Sequence, residues 1–168
     1  PVVGLGASAG GLQAFTDFFE AMPDETGMAF VAIHHVDPDH ESLMADLLAK
    51  HTNMTVTLAE DQTRIAPDHV YIIPPRRFLR IENGTLYLTE PTQRRGMRLP
   101  IDFFLRSLAL DQQQNAVAII LSGTGGDGTG GIRTIKENGG MVLVQEPKQA
   151  AHDGMARSAI ATGLVDYV

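Results

Sequence analysis

The sequence contains one pattern twice: an apolar run, then a turn rich in glycine, then an amphipathic segment. The first copy passes from Val2 into the turn around Ser8, and the second passes from the run 116–121 into the turn 122–131. A short apolar run without polar alternation is typical of a strand that is buried on both faces. Glycine allows the sharp reversal between such a strand and the helix that follows it. Two strand-turn-helix units therefore predict a parallel sheet covered by helices on both sides.

The remaining patterns extend this prediction along the chain. Apolar residues at helical spacing follow Gly11, Leu43, Pro100 and Gly131. The predicted fold class is α/β, with a doubly wound, mainly parallel sheet flanked by helices in three layers. Asn83–Gly84 favours a tight turn, so a small β-hairpin insertion is expected. The other expected elements are strands at 28–33, 54–58, 70–73, 78–81, 85–88 and 141–144, an edge strand at 164–168, and a short helix at 158–161.

Composition narrows the class of protein. The 168 residues are 43% hydrophobic, which suits one globular domain over 1–168, and Pro1 opens directly on a strand, as in a domain cut from a longer protein. The net charge of −7 argues against a nucleic-acid partner. Cysteine is absent, so thiolate metal sites and cysteine nucleophiles are excluded. No apolar run approaches the roughly 18 residues of a membrane span, so we expect no direct membrane insertion and a cytoplasmic location.

Ser8 lies in the pattern Gly-x-Ser-x-Gly that runs from Gly6 to Gly10. In a strand-to-helix elbow this pattern exposes the serine hydroxyl, and free N–H groups such as that of Ala9 can stabilise an oxyanion. The residues Gly4, Gly6 and Ala9 also fit the Gly-x-Gly-x-x-Gly/Ala fingerprint of a dinucleotide-binding turn. That fingerprint needs an acidic residue at the end of the second strand, where this chain has histidines. Ser8 is therefore predicted to be a nucleophile, and the alternative is a glycine turn that only packs a helix against the sheet.

A base and an acid are predicted to join Ser8. The second strand ends at His34 and His35, and Asp127 lies in the turn that follows the run 116–121. Because sites in doubly wound sheets lie beyond the carboxyl ends of the strands, these side chains are expected at one edge. His35 is predicted to be the base and Asp127 the acid that orients it. His34 would then hydrogen-bond within the scaffold, and Asp127 has the alternative role of a turn residue or helix N-cap.

The tract from His34 to His40 also packs five potential metal ligands into seven positions. Two-metal hydrolases usually space their histidines differently, and few histidines elsewhere could complete the site. No metal is therefore predicted. Neither glycine turn ends in Gly-Lys-Ser or Gly-Lys-Thr, so a phosphate-binding loop is not expected and no cofactor is predicted.

Three motifs carry a more specific signal: Gly-Ala-Ser-Ala-Gly-Gly after the first strand, the His-His strand end, and Leu-Ser-Gly-Thr-Gly-Gly-Asp-Gly. Together they resemble the catalytic domain of the chemotaxis protein-glutamate methylesterase (CheB-type) family. The resemblance continues through Val-Tyr-Ile-Ile-Pro-Pro to Asp-Gly-Met, and so covers nearly the whole chain. It implies that Ser8 is the nucleophile, His35 the base and Asp127 its partner. In an α/β-hydrolase the catalytic histidine follows the serine and the acid along the chain, and His152 would be the candidate for that order.

The resemblance implies a hydrolase that removes methyl esters from receptor glutamates and can deamidate glutamines. Its partners would be methylated chemoreceptor cytoplasmic helices, with fused or partner methyltransferase, receiver or sensor kinase domains. Ala9 stands where the family often has threonine, and Thr124 where it often has methionine, so a catalytically weak signalling module stays open as the alternative. Arginines near the hairpin would attract acidic receptor helices, unless they are ordinary solvated charges. They are Arg76, Arg77, Arg80, Arg94, Arg95 and Arg98.

Overall fold

The structure is a computed structural model, and it describes residues 1–35, 43–94 and 98–168. The strands, in chain order, are β1 (Val2–Ala7), β2 (Ala29–His34), β3 (Thr55–Leu58), β4 (Thr63–Arg64), β5 (His69–Ile72), β6 (Phe78–Glu82), β7 (Thr85–Thr89), β8 (Ala116–Ile120) and β9 (Met141–Val144). The helices are α1 (Gly11–Ala21), α2 (Met44–Leu48), α3 (Pro100–Gln112), α4 (Thr129–Glu137) and α5 (Gly154–Ala161). Within these described ranges, no helix is both long enough and apolar enough to cross a membrane.

Six strands form one parallel sheet in the order β3-β5-β2-β1-β8-β9. The first strand, β1, lies in the middle of the sheet. The strands β2, β5 and β3 lie on one side of it, and β8 and β9 lie on the other. The winding direction thus reverses between β1 and β8, which is where doubly wound sheets form their clefts. The α/β, doubly wound fold class is confirmed, and the carboxyl ends of β2, β1 and β8 lie side by side.

Apolar side chains cover the two faces of the sheet as two separate clusters. On one face, Phe15 and Phe19 of α1 pack in the same cluster as Phe30 of β2. On the other face, α3 contributes Phe104 and Leu105. All five side chains are almost completely buried. Helices on both faces therefore enclose the sheet in the three layers that the apolar runs predicted.

Helix α3 lies directly on β1 because β1 has no side chain at two positions. A Cβ at Gly6 would lie 2.6 Å from Cγ2 of Ile101, and a Cβ at Gly4 would lie 2.9 Å from Cδ2 of Leu105. Such distances are too short for packed carbon atoms. The close packing of α3 therefore accounts for two glycines of the dinucleotide-like pattern without any bound nucleotide.

The predicted β-hairpin is formed by β6 and β7, which pair in antiparallel register. Asn83 and Gly84 have φ values of 50° and 68°, in the left-handed region that a tight hairpin turn requires. Strand β4, which was not predicted, extends the hairpin into a sheet of order β4-β7-β6. The hairpin is tied to α3, since the Ile81 N–H donates to the Ser107 hydroxyl at 3.0 Å.

The edge strand expected at 164–168 is not formed as a strand. The segment makes one bridge, between Leu143 and Tyr167. The reason is that the Asp166 carboxylate accepts the Val142 N–H at 2.8 Å and also binds Lys136 at 2.8 Å. A side chain thus occupies the donor on β9 that a backbone carbonyl would need for a regular ladder.

Candidate active site

The loops after three neighbouring strands bring the predicted site residues to one edge of the sheet. Strands β1 and β2 end level, with Ala7 opposite His34, so Ser8 and His35 follow directly at the same edge. Strand β8 lies on the other side of β1, and its loop carries Asp127. The order of the strands therefore places the three candidates at the same edge of the sheet.

Ser8 has a well-defined hydrogen-bonding environment. Its side chain is buried, and the Thr124 N–H donates to Oγ at 3.0 Å. The Ser8 hydroxyl in turn donates to Sδ of Met155 at 3.4 Å. The Ser8 backbone N–H donates to the Ser122 carbonyl at 2.9 Å. The loop after β8 and the start of α5 thus hold the serine in place, in addition to its own turn.

Ser122 connects these loops from inside the protein. Its side chain is 1% exposed, and its hydroxyl donates to the Ala9 carbonyl at 2.8 Å and accepts the His152 N–H at 3.0 Å. Without the hydroxyl, both backbone groups would lose a partner. The exposed His152 thus contributes its backbone to the site, and no described hydrogen bond involves its ring.

Sequence reasoning missed Ser122 and Met155. Met155 is separated from Ser8 by 147 positions, so no local pattern relates them. The available signal for Ser122 was a polar side chain at the end of a fully apolar strand, within the Leu-Ser-Gly motif. For Met155 the signal was its place in the Asp-Gly-Met segment, which belonged to the family resemblance but had no assigned role.

His34 lies inside the protein against α1. It is 7% exposed, its ring contacts Phe15 edge-on at 5.8 Å between centroids, and a Cβ at Gly11 would lie 2.6 Å from its Nε2. Neither ring nitrogen has a hydrogen-bond partner in the described part of the chain, so the expected scaffold hydrogen bond is not formed. Burial lowers the pKa of His34 to about 4. The polar backbone of Ser8 favours the charged ring and opposes this shift, whereas the charge of His35 lowers the pKa further. The ring is therefore neutral at pH 7.

His35 is exposed, in contrast to its neighbour. Its backbone N–H donates to the Ala7 carbonyl at 3.1 Å, which continues the pairing of β1 with β2 beyond the strand end. Successive side chains along a strand point in opposite directions, so one histidine of the pair is buried and the other faces solvent. Of the two, His35 is the one that a substrate can reach.

The rest of the histidine tract lies outside the described residues. This applies to Asp37, Asp39 and His40 of the tract. Among the residues that the structure describes, no three His, Asp or Glu side chains are close enough to share a metal ion. The absence of a metal thus stays a prediction.

The Asp127 carboxylate faces the start of α3. The side chain is 8% exposed, and it accepts the N–H groups of Ile101 at 3.0 Å and Asp102 at 2.9 Å. The buried Asp102 carboxylate in turn accepts the Gly131 N–H of α4 at 2.6 Å. Asp127 therefore does cap a helix, but that helix is α3 and not the following α4. Leu99, at the N-cap position of α3, has no polar side chain for this task.

Burial raises the pKa of Asp127 to about 6. The N–H groups of Asp102 and Ile101 oppose this rise, and the negative charge of Asp102 adds to it. Asp127 is thus mostly ionised at pH 7, as an acid that supports an imidazolium must be. Within the described residues, neither the Ser8 nor the Asp127 side chain hydrogen-bonds to a histidine ring. The relay from Ser8 through His35 to Asp127 therefore stays a prediction.

Known proteins of one family match the chain along its length. The sequence profile of the family described as CheB methylesterase matches residues 3–168. The chain belongs to the CheB methylesterase family. The resemblance of its three motifs is thereby confirmed.

Individual proteins also match most or all of this chain. The crystal structure of the Thermotoga maritima CheB methylesterase catalytic domain matches with a TM-score of 0.91 and 29% identity, over 99% of this chain and 90% of that one. A Photorhabdus laumondii protein named protein-glutamate methylesterase/protein-glutamine glutaminase is 33% identical over 99% of this chain. An uncharacterized 104.1 kDa Rhodobacter capsulatus protein is 47% identical over 73% of this chain. The chain spans 49% of the Photorhabdus protein and 13% of the Rhodobacter protein.

The two departures from the CheB-family pattern affect side chains, whereas the contacts in the site use backbone. Thr124 approaches Ser8 through its N–H group, which any residue except proline would provide at this position. Ala9 contributes its carbonyl, which Ser122 holds. The replacement of methionine and threonine at these positions therefore leaves the described hydrogen bonds around Ser8 in place.

Proposed function

We propose that this chain is a serine hydrolase that demethylates glutamate methyl esters on chemoreceptors and can deamidate glutamines. The observation that carries the proposal is the buried Ser8 hydroxyl with the Thr124 N–H at 3.0 Å from its Oγ. A backbone N–H beside the attacking oxygen is well placed to bind the oxyanion that forms on the adjacent carbonyl. Relatives over nearly the whole chain are named protein-glutamate methylesterase/protein-glutamine glutaminase. A catalytically weak signalling module would not need this donor.

The chemistry is acyl transfer in two steps. His35 accepts the Ser8 proton as Oγ attacks the ester carbonyl, and the resulting tetrahedral oxyanion collapses as protonated His35 delivers the proton to departing methanol. Water, deprotonated by His35, then attacks the glutamyl-Ser8 ester. The protonated His35 returns its proton to the departing Ser8 oxygen, and the glutamate carboxylate is released. With a glutamine side chain the leaving group is ammonia, and the other steps are the same.

We assign Asp127 a supporting role in this reaction. Its negative charge stabilises the imidazolium that His35 becomes during each step. Because its oxygens bind the Ile101 and Asp102 N–H groups, it also fixes the loop after β8 to α3. The loss of Asp127 therefore affects the base only indirectly.

The proposed partners are methylated chemoreceptor helices in the cytoplasm, with methyltransferase, receiver or sensor kinase domains in the same protein or in partner proteins. The hairpin arginines support receptor docking less than the sequence indicated. Arg77 forms an ion pair with Glu90, and Arg80 pairs with Glu82 at 2.6 Å and stacks 4.4 Å above the Tyr87 ring. Their charge is thus partly neutralised. Arg76, Arg94 and Arg98 have no acidic partner among the described residues, and Arg95 lies outside them.

Methanol release from methylated receptor membranes tests the proposal. Ser8→Ala and His35→Ala should each lower the rate at least about a thousandfold, and Asp127→Ala should lower it less, because loss of the acid in a triad is the mildest of the three. His152→Ala is the matched control, since that side chain is exposed and only its backbone is bound. Substantial hydrolysis by a folded Ser8→Ala variant would reject Ser8 as the nucleophile. No release by the wild type would favour the signalling module.

A further inference from the structure

We propose that Met155 is a positioning residue that holds the Ser8 hydroxyl in its attacking orientation, an inference that rests on the proposed serine chemistry. The Met155 sulfur accepts the hydroxyl hydrogen at 3.4 Å, while the Thr124 N–H donates to the same Oγ at 3.0 Å. Met155 is 1% exposed, so little water can compete for the hydroxyl. Thioether sulfur is a weak acceptor. It therefore orients the hydroxyl without retaining the proton when a stronger base approaches.

The sulfur is mounted on the same loop that supplies the donor. The Met155 N–H donates to the Gly123 carbonyl at 2.9 Å, and the Gly123 N–H donates to the His152 carbonyl at 2.9 Å. These two backbone bonds join the start of α5 to the residue before Thr124. The acceptor and the donor of the Ser8 hydroxyl therefore keep a fixed distance from each other.

The space around the hydroxyl permits no other side chain on the Gly123 side. A Cβ at Gly123 would lie 2.2 Å from the Met155 sulfur and 2.5 Å from Oγ of Ser8. The backbone of the loop, the sulfur and the hydroxyl are thus packed directly against one another. This arrangement leaves the sulfur as the described acceptor for the hydroxyl hydrogen.

An ordinary core methionine has apolar contacts only. Met54 is such a residue: it is 6% exposed and packs in the apolar cluster on the α1 face. Met155 differs because its removal would leave a buried hydroxyl without an acceptor. The Thr124 N–H would then be the remaining described bond to Oγ. Equal occupation of the three staggered rotamers is the limit of this loss, and it would leave about one third in the attacking orientation.

Met155→Leu tests this role because leucine keeps most of the apolar volume and removes the acceptor. We measure labelling of Ser8 by a fluorophosphonate probe, together with kcat and KM for methyl ester hydrolysis and the melting temperature. Labelling and kcat should each fall, by up to about threefold, since the attacking rotamer loses the acceptor that favours it. KM should be unchanged, and Met54→Leu should label at the wild-type rate.

The outcome of the labelling decides the proposal. Unchanged or faster labelling of a folded Met155→Leu variant would overturn it. If that variant does not fold, norleucine incorporated at position 155 replaces it, with the same expectations, because only the sulfur is exchanged for a methylene. Fluorophosphonates react with activated serines whatever their natural substrate. Normal wild-type labelling without methyl ester hydrolysis would therefore reject the proposed substrate while still testing Met155.

Discussion

His34 and Asp127 are buried titratable side chains on either side of β1, and they differ in the number of hydrogen bonds that they form. The His34 ring has no partner among the described residues, whereas Asp127 accepts N–H groups from Ile101 and Asp102. Burial shifts both pKa values toward the neutral form, to about 4 for His34 and about 6 for Asp127. Only the aspartate has donors that keep it mostly ionised at pH 7.

The comparison shows two ways of accommodating a buried polar side chain at the edge of the sheet that carries Ser8. Within the described part of the chain His34 is left unpaired, and its neutral ring packs beneath the Ser8 turn against Gly11 and Phe15. Asp127 is paired and charged, and it ties α3 to the loop after β8. In the order of the strands, the Ser8 turn therefore lies between a neutral histidine and an anion.

The largest expected effect is on the pH dependence of stability. Because the folded protein holds His34 neutral, the contribution of this side chain to the free energy of unfolding is fully present above its unfolded pKa of 6.5. It is lost as the pH falls through about 4. Because the folded protein favours the protonated form of Asp127, the contribution of Asp127 is fully present below its unfolded pKa of 3.8. It is lost as the pH rises through about 6. Each contribution amounts to about 3 kcal/mol in the free energy of unfolding. Between pH 4 and 6 the two changes oppose each other.

Single substitutions should reveal each contribution separately. In His34→Gln the free energy of unfolding should fall as the pH rises from 4 to 6, and in Asp127→Asn it should rise over the same interval. The wild type should change less than either variant, because its two contributions cancel. Urea unfolding at each pH measures the slopes, whatever the absolute loss of stability. Parallel slopes for the three proteins would show that the two environments do not differ as described.

A smaller effect is expected from removing the α3 cap. Asp127→Ala should lower the free energy of unfolding at pH 7 by about 2 kcal/mol, because two buried N–H groups lose their acceptor. The matched control is Asp111→Ala. Asp111 is half-buried and also accepts two backbone N–H groups, from Asn83 and Gly84, but water can replace it there. Equal losses of the free energy of unfolding in the two variants would mean that burial of the Asp127 cap does not increase its contribution to stability.

The smallest effect should come from Asp102→Asn. The amide oxygen can still accept the Gly131 N–H, while the negative charge that raises the Asp127 pKa is removed. The Asp127 pKa should therefore fall from about 6. Carbon-13 NMR titration of the Asp127 carboxyl measures the change, with Asp111→Asn as the control. An unchanged titration would show that the charge of Asp102 does not act on Asp127.

The sequence predicted the sheet well because its information is local. Apolar runs marked the strands to within one or two residues, and the Asn83–Gly84 turn and the Pro100 helix start formed as expected. Local patterns failed where a side chain serves a distant segment. Asp127 was weighed as a cap, but the helix that it caps begins more than twenty positions earlier in the chain. At the chain end, Asp166 replaced a strand by a side-chain hydrogen bond.

By itself, the sequence determined the doubly wound α/β class, the family, and the edge at which Ser8, His35 and Asp127 lie. The class and the edge follow from hydrophobic periodicity, glycine turns and the parallel connection of strands, whereas the family follows from the resemblance of three motifs. All of these signals depend on residues close together in the chain. Only the tertiary structure decided that His34 is buried with no hydrogen-bond partner among the described residues, and that Met155 and Ser122 lie around Ser8. Those outcomes depend on contacts between segments separated by up to 147 positions. Such contacts form when both faces of the sheet are packed, and no local pattern encodes them.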